Sequence, residues 1–171
     1  MKRMTKIMLT LLLAPLCLAS CSTLLGVPQR ATISEKPDLS GYRYVYIAPT
    51  PERTSITGST YGNRYMTVGS TTTRGIVPSD VIANRFIKQG FIRVPEINET
   101  SPEQTLAVIY NEGDKRMYGM FGDYSIEVTI QLLTPLTYDL ICTVTAEGMG
   151  NTEVDDITEA ITKCLDAIFE E

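Results

Sequence analysis

The chain has no histidine and no tryptophan. Without histidine no His-based nucleophilic triad can be built, and the commonest general base and the commonest zinc ligand are both missing. Positive charge is scarce. Fifteen Lys and Arg face twenty Asp and Glu in 171 residues, and Lys2, Arg3 and Lys6 crowd at the very start. Every acidic residue lies beyond Cys21, so the chain after that point carries a net charge of −8. A body so acidic argues against nucleic acid as a partner and against electrostatic adsorption to anionic lipid. Long apolar runs are lacking too. The longest, Ile7 to Leu18, is interrupted by Thr10 and Pro15 and is too short for a membrane-spanning helix.

That short run, with basic residues before it and small residues after it, reads as a secretory signal. It ends in Leu18-Ala19-Ser20-Cys21, which resembles the lipobox of bacterial lipoproteins. The resemblance implies a signal peptide over residues 1–20, a diacylglyceryl thioether on Cys21 and an acyl chain (a palmitate-type lipid) on its amine. This covalent lipid is the only non-protein group expected; no separate cofactor is. Three chains would anchor the protein for practical purposes permanently, where one holds only reversibly. Ser22-Thr23-Leu24-Leu25 after the cysteine contains no acidic residue. By resemblance to lipoprotein sorting signals, this implies the outer membrane, with the body facing the periplasm.

Removal of the leader leaves about 151 residues, enough for one domain with a real core. Residues 21–40 show no sustained period and are broken by Pro28 and Pro37, which suits a tether. Residues 41–171 are expected to form a single α+β domain. Tyr42 to Ala48 is a near-continuous run of β-formers, fit for a strand buried on both faces. Residues 54–75 are rich in Ser, Thr, Gly and Tyr. Gly62-Asn63 between β-formers marks a hairpin, although the same composition also suits a flexible loop. If any surface is specialised for a partner it is this one, with Tyr61, Arg64 and Tyr65 as its candidate contacts.

Pro78 to Gln89 reads as a helix with Val81, Ile82, Phe86 and Ile87 as its buried stripe and Gly90 as its left-handed cap. A short strand is expected at 92–96 and another at 105–110, followed by a glycine-punctuated connection over 111–122. Tyr124, Ile126, Val128, Ile130 and Leu132 alternate with polar residues, the pattern of a half-solvated antiparallel strand. Tyr138 to Ala146 repeats it, with Leu140, Cys142 and Val144 on one face. Thr152-Glu153-Val154-Asp155 resembles a capping box ahead of a last helix to Phe169, whose stripe includes Ile157, Ile161, Cys164 and Leu165. The predicted fold is a two-layer α+β sandwich: a mixed or mainly antiparallel sheet of about four to five strands with two helices on one face.

Candidate chemistry is thin. Glu153, Asp155 and Asp156 could hold a divalent cation, but acids also belong at a helix N-terminus. Gly119-Met120-Phe121-Gly122 and Gly148-Met149-Gly150 lack the lysine of a phosphate loop. Tyr42, Tyr44, Tyr46, Tyr61 and Tyr65 could form a sugar- or peptide-binding face, or simply pack in the sheet. Cys142 has no histidine to activate it. Cys142 and Cys164 are a candidate disulfide in an oxidising envelope. No residue is singled out as catalytic or as a metal ligand, and no small-molecule substrate is indicated.

Tyr42-Arg43-Tyr44-Val45-Tyr46-Ile47, Lys88-Gln89-Gly90-Phe91 and the run from Gly148 to Ile161 resemble segments of small α+β lipoproteins of the bacterial envelope, many in families of unknown function. Some of these are lipid-anchored accessory subunits of transport assemblies. The resemblance implies a non-catalytic binding, scaffolding or accessory subunit in the periplasm, its partners the membrane through the lipid and an envelope protein complex. The alternatives are a carbohydrate- or peptide-binding lipoprotein using residues 54–75, and a carboxylate- or metal-dependent hydrolase.

Overall fold

The computed structural model describes residues 31–63, 66–97, 101–118 and 123–170. In chain order the elements are β1 (Thr32–Ile33), β2 (Tyr44–Ile47), β3 (Arg53–Asn63), β4 (Met66–Ile76), α1 (Pro78–Lys88), β5 (Ile92–Val94), a 3-10 turn (Pro102–Gln104), β6 (Thr105–Tyr118), β7 (Asp123–Leu133), β8 (Leu140–Gly148) and α2 (Glu153–Phe169). Among the described residues six strands form one sheet in the order β1-β8-β7-β6-β2-β5, and β3 and β4 pair only with each other. The sheet is mixed: β2 runs parallel to both β5 and β6, and the remaining pairs are antiparallel. The chain is therefore α+β, a mixed sheet with two helices.

Alternation decides which face is covered. Val45 and Ile47 of β2, Leu106 and Val108 of β6, Ile126 to Leu132 of β7, and Cys142, Val144 and Ala146 of β8 join one buried cluster with both helices. α1 contributes Ile82, Ala83 and Phe86; α2 contributes Ile157, Ala160, Ile161, Cys164, Leu165 and Ile168. The opposite sheet face carries Glu127, Thr129, Gln131, Thr143, Thr145 and Glu147, all half-buried. There Glu127 and Glu147 stand directly opposite each other across β7 and β8. Like charges so placed repel, and Arg116 bridges them at 3.1 and 2.9 Å.

Helix ends follow their local chemistry. Gly90 has φ +93°, its N–H reaches Ile87 O at 3.0 Å, and Phe91 N–H reaches Phe86 O at 3.1 Å. That is a Schellman cap, and its hydrophobic contact is the edge-on pair Phe86–Phe91, 5.3 Å between centroids. Thr152 caps α2, its hydroxyl accepting from Asp155 N–H at 3.2 Å.

The structure departs from the sequence reading at several points. The sheet has six strands rather than four to five. The extra one, β1, lies within the stretch read as tether. A two-residue strand has no period to read, and it is held by non-local bonds: Ser34 N–H to Thr143 O at 2.9 Å and Thr143 N–H to Ser34 Oγ at 3.0 Å. β6 continues through Gly113 to Tyr118, past a bulge between Glu112 and Lys115, where a connection was expected. Ile87 is 50 % exposed rather than part of the buried stripe; Ala83 takes that place. Leu140 is 56 % exposed, because a register shift puts Leu133 opposite Leu140 while Leu132 pairs Cys142.

Candidate functional site: the root of a hairpin arm

β3 and β4 form an antiparallel hairpin in unbroken register from Arg53↔Ile76 to Asn63↔Met66. Eleven residues per strand make an arm about 35 Å long at ~3.4 Å per residue. Gly62 and Asn63, expected as the turn, are rungs of the ladder, paired with Thr67 and Met66; Arg64 and Tyr65 lie outside the described residues. Ile56 to Gly58 on β3 and Gly69 to Gly75 on β4 are exposed, so at these positions the arm stands clear of the body.

Its root is fastened in three places. Arg53 grips Glu112 of β6 with two nitrogens, Nε to Oε1 at 3.0 Å and a terminal nitrogen to Oε2 at 2.6 Å. Tyr110 donates its phenol to the same carboxylate at 2.8 Å. Burial, reinforced by that bond, raises the Tyr110 phenol well above its ordinary pKa. Ser55 is buried, and its hydroxyl accepts the N–H of Val154 in the first turn of α2 at 3.0 Å. Arg74 of β4 pairs with Asp155 at 2.9 Å. A helix start leaves its first N–H groups unpaired; here the arm supplies one acceptor and Thr152 another.

Beside the root a cleft of about 650 Å³ is lined by Lys115, Tyr124, Asn151, Thr152, Glu153 and Asp156. It contains the acidic cluster weighed above as a cation site. The carboxylates are already engaged: Glu153 with Lys115, Asp155 with Arg74 and the Thr152 hydroxyl, Asp156 with the N–H of Gly150. Asp156 is 5 % exposed, and burial raises its carboxyl above the usual range despite the Gly150 bond. Among the described residues no group of three or more His, Cys, Asp or Glu is placed to hold a metal ion.

The tyrosines do not converge. Tyr42 packs against the core, while Tyr44 and Tyr46 sit half-buried on the other sheet face. Tyr61 lies on β3, and Tyr65, Arg64 and Cys21, the residue expected to carry the lipid, lie outside the described residues. Tyr46 instead lines a second cleft, of about 600 Å³, with Pro95, Pro102, Pro135, Leu136 and Tyr138. Tyr138 adopts φ +58°, a costly conformation for an aromatic residue. It is held there by Tyr138 N–H to Thr134 O at 2.9 Å and Thr134 N–H to Asp139 O at 3.0 Å. Leu136 and Tyr138 are 62 % and 69 % exposed. The available signal was two large apolar side chains inside the turn Pro135-Leu136-Thr137-Tyr138. Cys142 and Cys164 both lie in the core as free thiols. Burial pushes the Cys164 thiol up to about 12 and raises Cys142 as well, so neither offers a thiolate at neutral pH.

No family model matches the chain, and no curated protein matches it. Solved structures do. A PelC dodecamer from Paraburkholderia phytofirmans matches with TM-score 0.52 and 15 % identity, over 82 % of this chain and 98 % of that one. A point variant of the same protein, also a dodecamer, matches with TM-score 0.51 and 14 % identity, over 81 % and 96 %. At this identity the likeness establishes a shared fold.

Proposed function

We propose that this chain is a non-catalytic lipoprotein, held at the outer membrane through Cys21 with its α+β body in the periplasm, and that it serves as a self-assembling scaffolding or accessory subunit. The observation that carries self-assembly is the fold shared with PelC over nearly that protein's whole length, in structures described as dodecamers. The lipobox Leu18-Ala19-Ser20-Cys21 supports the anchor. The engaged carboxylates and raised thiols support a body without a catalytic group. The test is the mass of the full-length lipoprotein extracted from membranes in mild detergent. A multiple of the chain mass at micromolar concentration is expected; a single-copy mass throughout overturns self-assembly. In parallel, Cys21→Ala is expected to leave the protein soluble or as an unprocessed precursor. Normal processing and detergent extraction like wild type would remove the anchor from the reading.

One observation favours a second reading, carbohydrate or peptide binding: the cleft between Tyr46 and Tyr138, where a strained turn holds aromatic and aliphatic surface in water. Glycan and peptide arrays probed with wild type and Tyr138→Ala test it. Binding lost in the variant is expected on that reading, and a blank array for wild type rejects it.

A further inference from the structure

We infer that the β3–β4 arm is the assembly element, and that its occupant is the arm of a second copy: β4 of one chain pairs with β3 of the next, side by side and antiparallel. The inference rests on the self-assembly proposed above and names the surface that performs it.

An isolated two-stranded ribbon is marginally stable in water, and this one is long. Among the described residues each strand bonds its partner along one edge and pairs with no strand on the other, since neither joins the six-stranded sheet. Proteins that must keep such edges apart guard them with lysine, proline, inward charges or short strands. This arm carries none of those guards. Between Arg53 and Arg74 the sequence has a single charged residue, Arg64, and no proline. The exposed positions are Ile, Thr, Ser and Gly: Ile56, Thr57 and Gly58 on one strand, Ser70 to Thr73 on the other. Threonine and isoleucine favour strands, and small side chains let a neighbouring backbone approach.

The choice of occupant follows from the two edges. Both are eleven residues long and equally unguarded, so each edge matches the other in length and chemistry. Two-fold pairing through one edge would leave the second edge of every copy open. Repetition in one direction covers both edges, and closure of that repeat into a ring leaves none. Arms pointing the same way then alternate β3, β4, β3, β4, with every neighbour antiparallel. The root contacts at Arg53, Ser55 and Arg74 fix the arm's direction from the body, and every body in such a repeat presents it alike.

The test uses the full-length lipoprotein in mild detergent. Two edge-guarded variants, T57K with T71K and T57K with T73K, place lysines at exposed positions just beyond the root and outside its contacts. A third variant replaces residues 57–72 with Asn-Gly, keeping Arg53, Ser55 and Arg74. Native mass measurement is expected to show wild type as an assembly and all three variants as single copies, with circular dichroism of the body unchanged. In a second arm, Thr57→Cys and Thr72→Cys are made in separately tagged copies and mixed under mild oxidation. Cross-links joining the two tags, in excess of those within either single preparation, are expected. If wild type assembles but the variants assemble equally and the mixed copies do not cross-link, the arm is not the interface and self-assembly survives. If wild type is a single copy, self-assembly itself fails, and this inference with it.

Discussion

At the scale of single residues, Asp156 shows how burial competes with helix electrostatics. It stands in the first turns of α2, where the helix dipole favours a negative charge by about 0.3–1 kcal/mol. It is also nearly sealed from water, close to Glu159, Asp155 and Glu153, and burial is the largest influence on it. The folded carboxyl therefore holds its proton to higher pH than the unfolded chain does. Stability is lost as pH rises from about 4 through the folded pKa, and the penalty is fully present at neutral pH. Asp156→Asn keeps an oxygen for the N–H of Gly150 and removes the charge. Thermal melts are expected to show the variant more stable than wild type at pH 7, with the gain vanishing near pH 3.5. An equal or larger gain at low pH would contradict the assignment. Cys142 and Cys164 give a second check. As buried free thiols they are expected to resist alkylation at pH 8 in the native protein. Two thiols are expected to react after denaturation without reductant. A 142–164 cross-linked peptide instead would show that oxidation joins them.

At the scale of elements, glycines mark where strand and helix meet most closely. A Cβ on Gly148 would lie 1.7 Å from the carbonyl oxygen of Asp156 and 3.0 Å from the nitrogen of Ala160. Both are backbone, so α2 would have to move off β8. Gly148→Ala is expected to cost at least as much as a large core truncation, about 3–5 kcal/mol, in denaturant titration. Gly90→Ala meets open space but keeps φ +93°, and is expected to cost about 1 kcal/mol. Reversal of that order would mean the α2–β8 joint is looser than drawn. The same elements show what could be read from the chain. Gly90-Phe91, the alternation through Ile126 to Leu132 and the acids of α2 are local signals, and they placed the cap, β7 and the helix start. Leu140 was misplaced because a bulge, not the period, decides its exposure, and Ile87 because the packed stripe runs through Ile82, Ala83 and Phe86. The arm's fastening was invisible for a plainer reason. Arg53 meets Glu112 across 59 residues, Arg74 meets Asp155 across 81, and Ser55 meets Val154 across 99. No local pattern announces such pairs; Gly62-Asn63 and the flanking β-formers announced a hairpin within 54–75, but neither its length nor its attachment to the body.

At the scale of the whole molecule, the arm and the body are separate in energy although joined in geometry. Among the described side chains between Arg53 and Ile76, Ile76 alone is packed on the core, and it sits at the root. The fastening contacts are Arg53–Glu112, half in water at 40 % and 18 % exposure, the exposed pair Arg74–Asp155, and the single buried bond from Val154 to Ser55. Surface ion pairs of this kind contribute at most about 1 kcal/mol each. By contrast Phe86 lies at the centre of an aromatic group, 5.3 Å from Phe91 and 5.0 Å from Phe169. Its truncation to alanine is expected to cost about 3–5 kcal/mol. The variant with residues 57–72 replaced by Asn-Gly keeps Arg53, Ser55 and Arg74 and removes none of the described core residues. With about 3 °C of midpoint per kcal/mol for a chain of this size, its melt is expected within about 3 °C of an edge-guarded single-copy variant such as T57K with T71K. Phe86→Ala in the same background is expected to fall by about 10 °C. Comparing variants that are all single copies keeps the effect of assembly on the midpoint out of the difference. A shortened arm that melts as low as Phe86→Ala would place the arm inside the cooperative unit, and the body would then be unable to offer it freely to a neighbour.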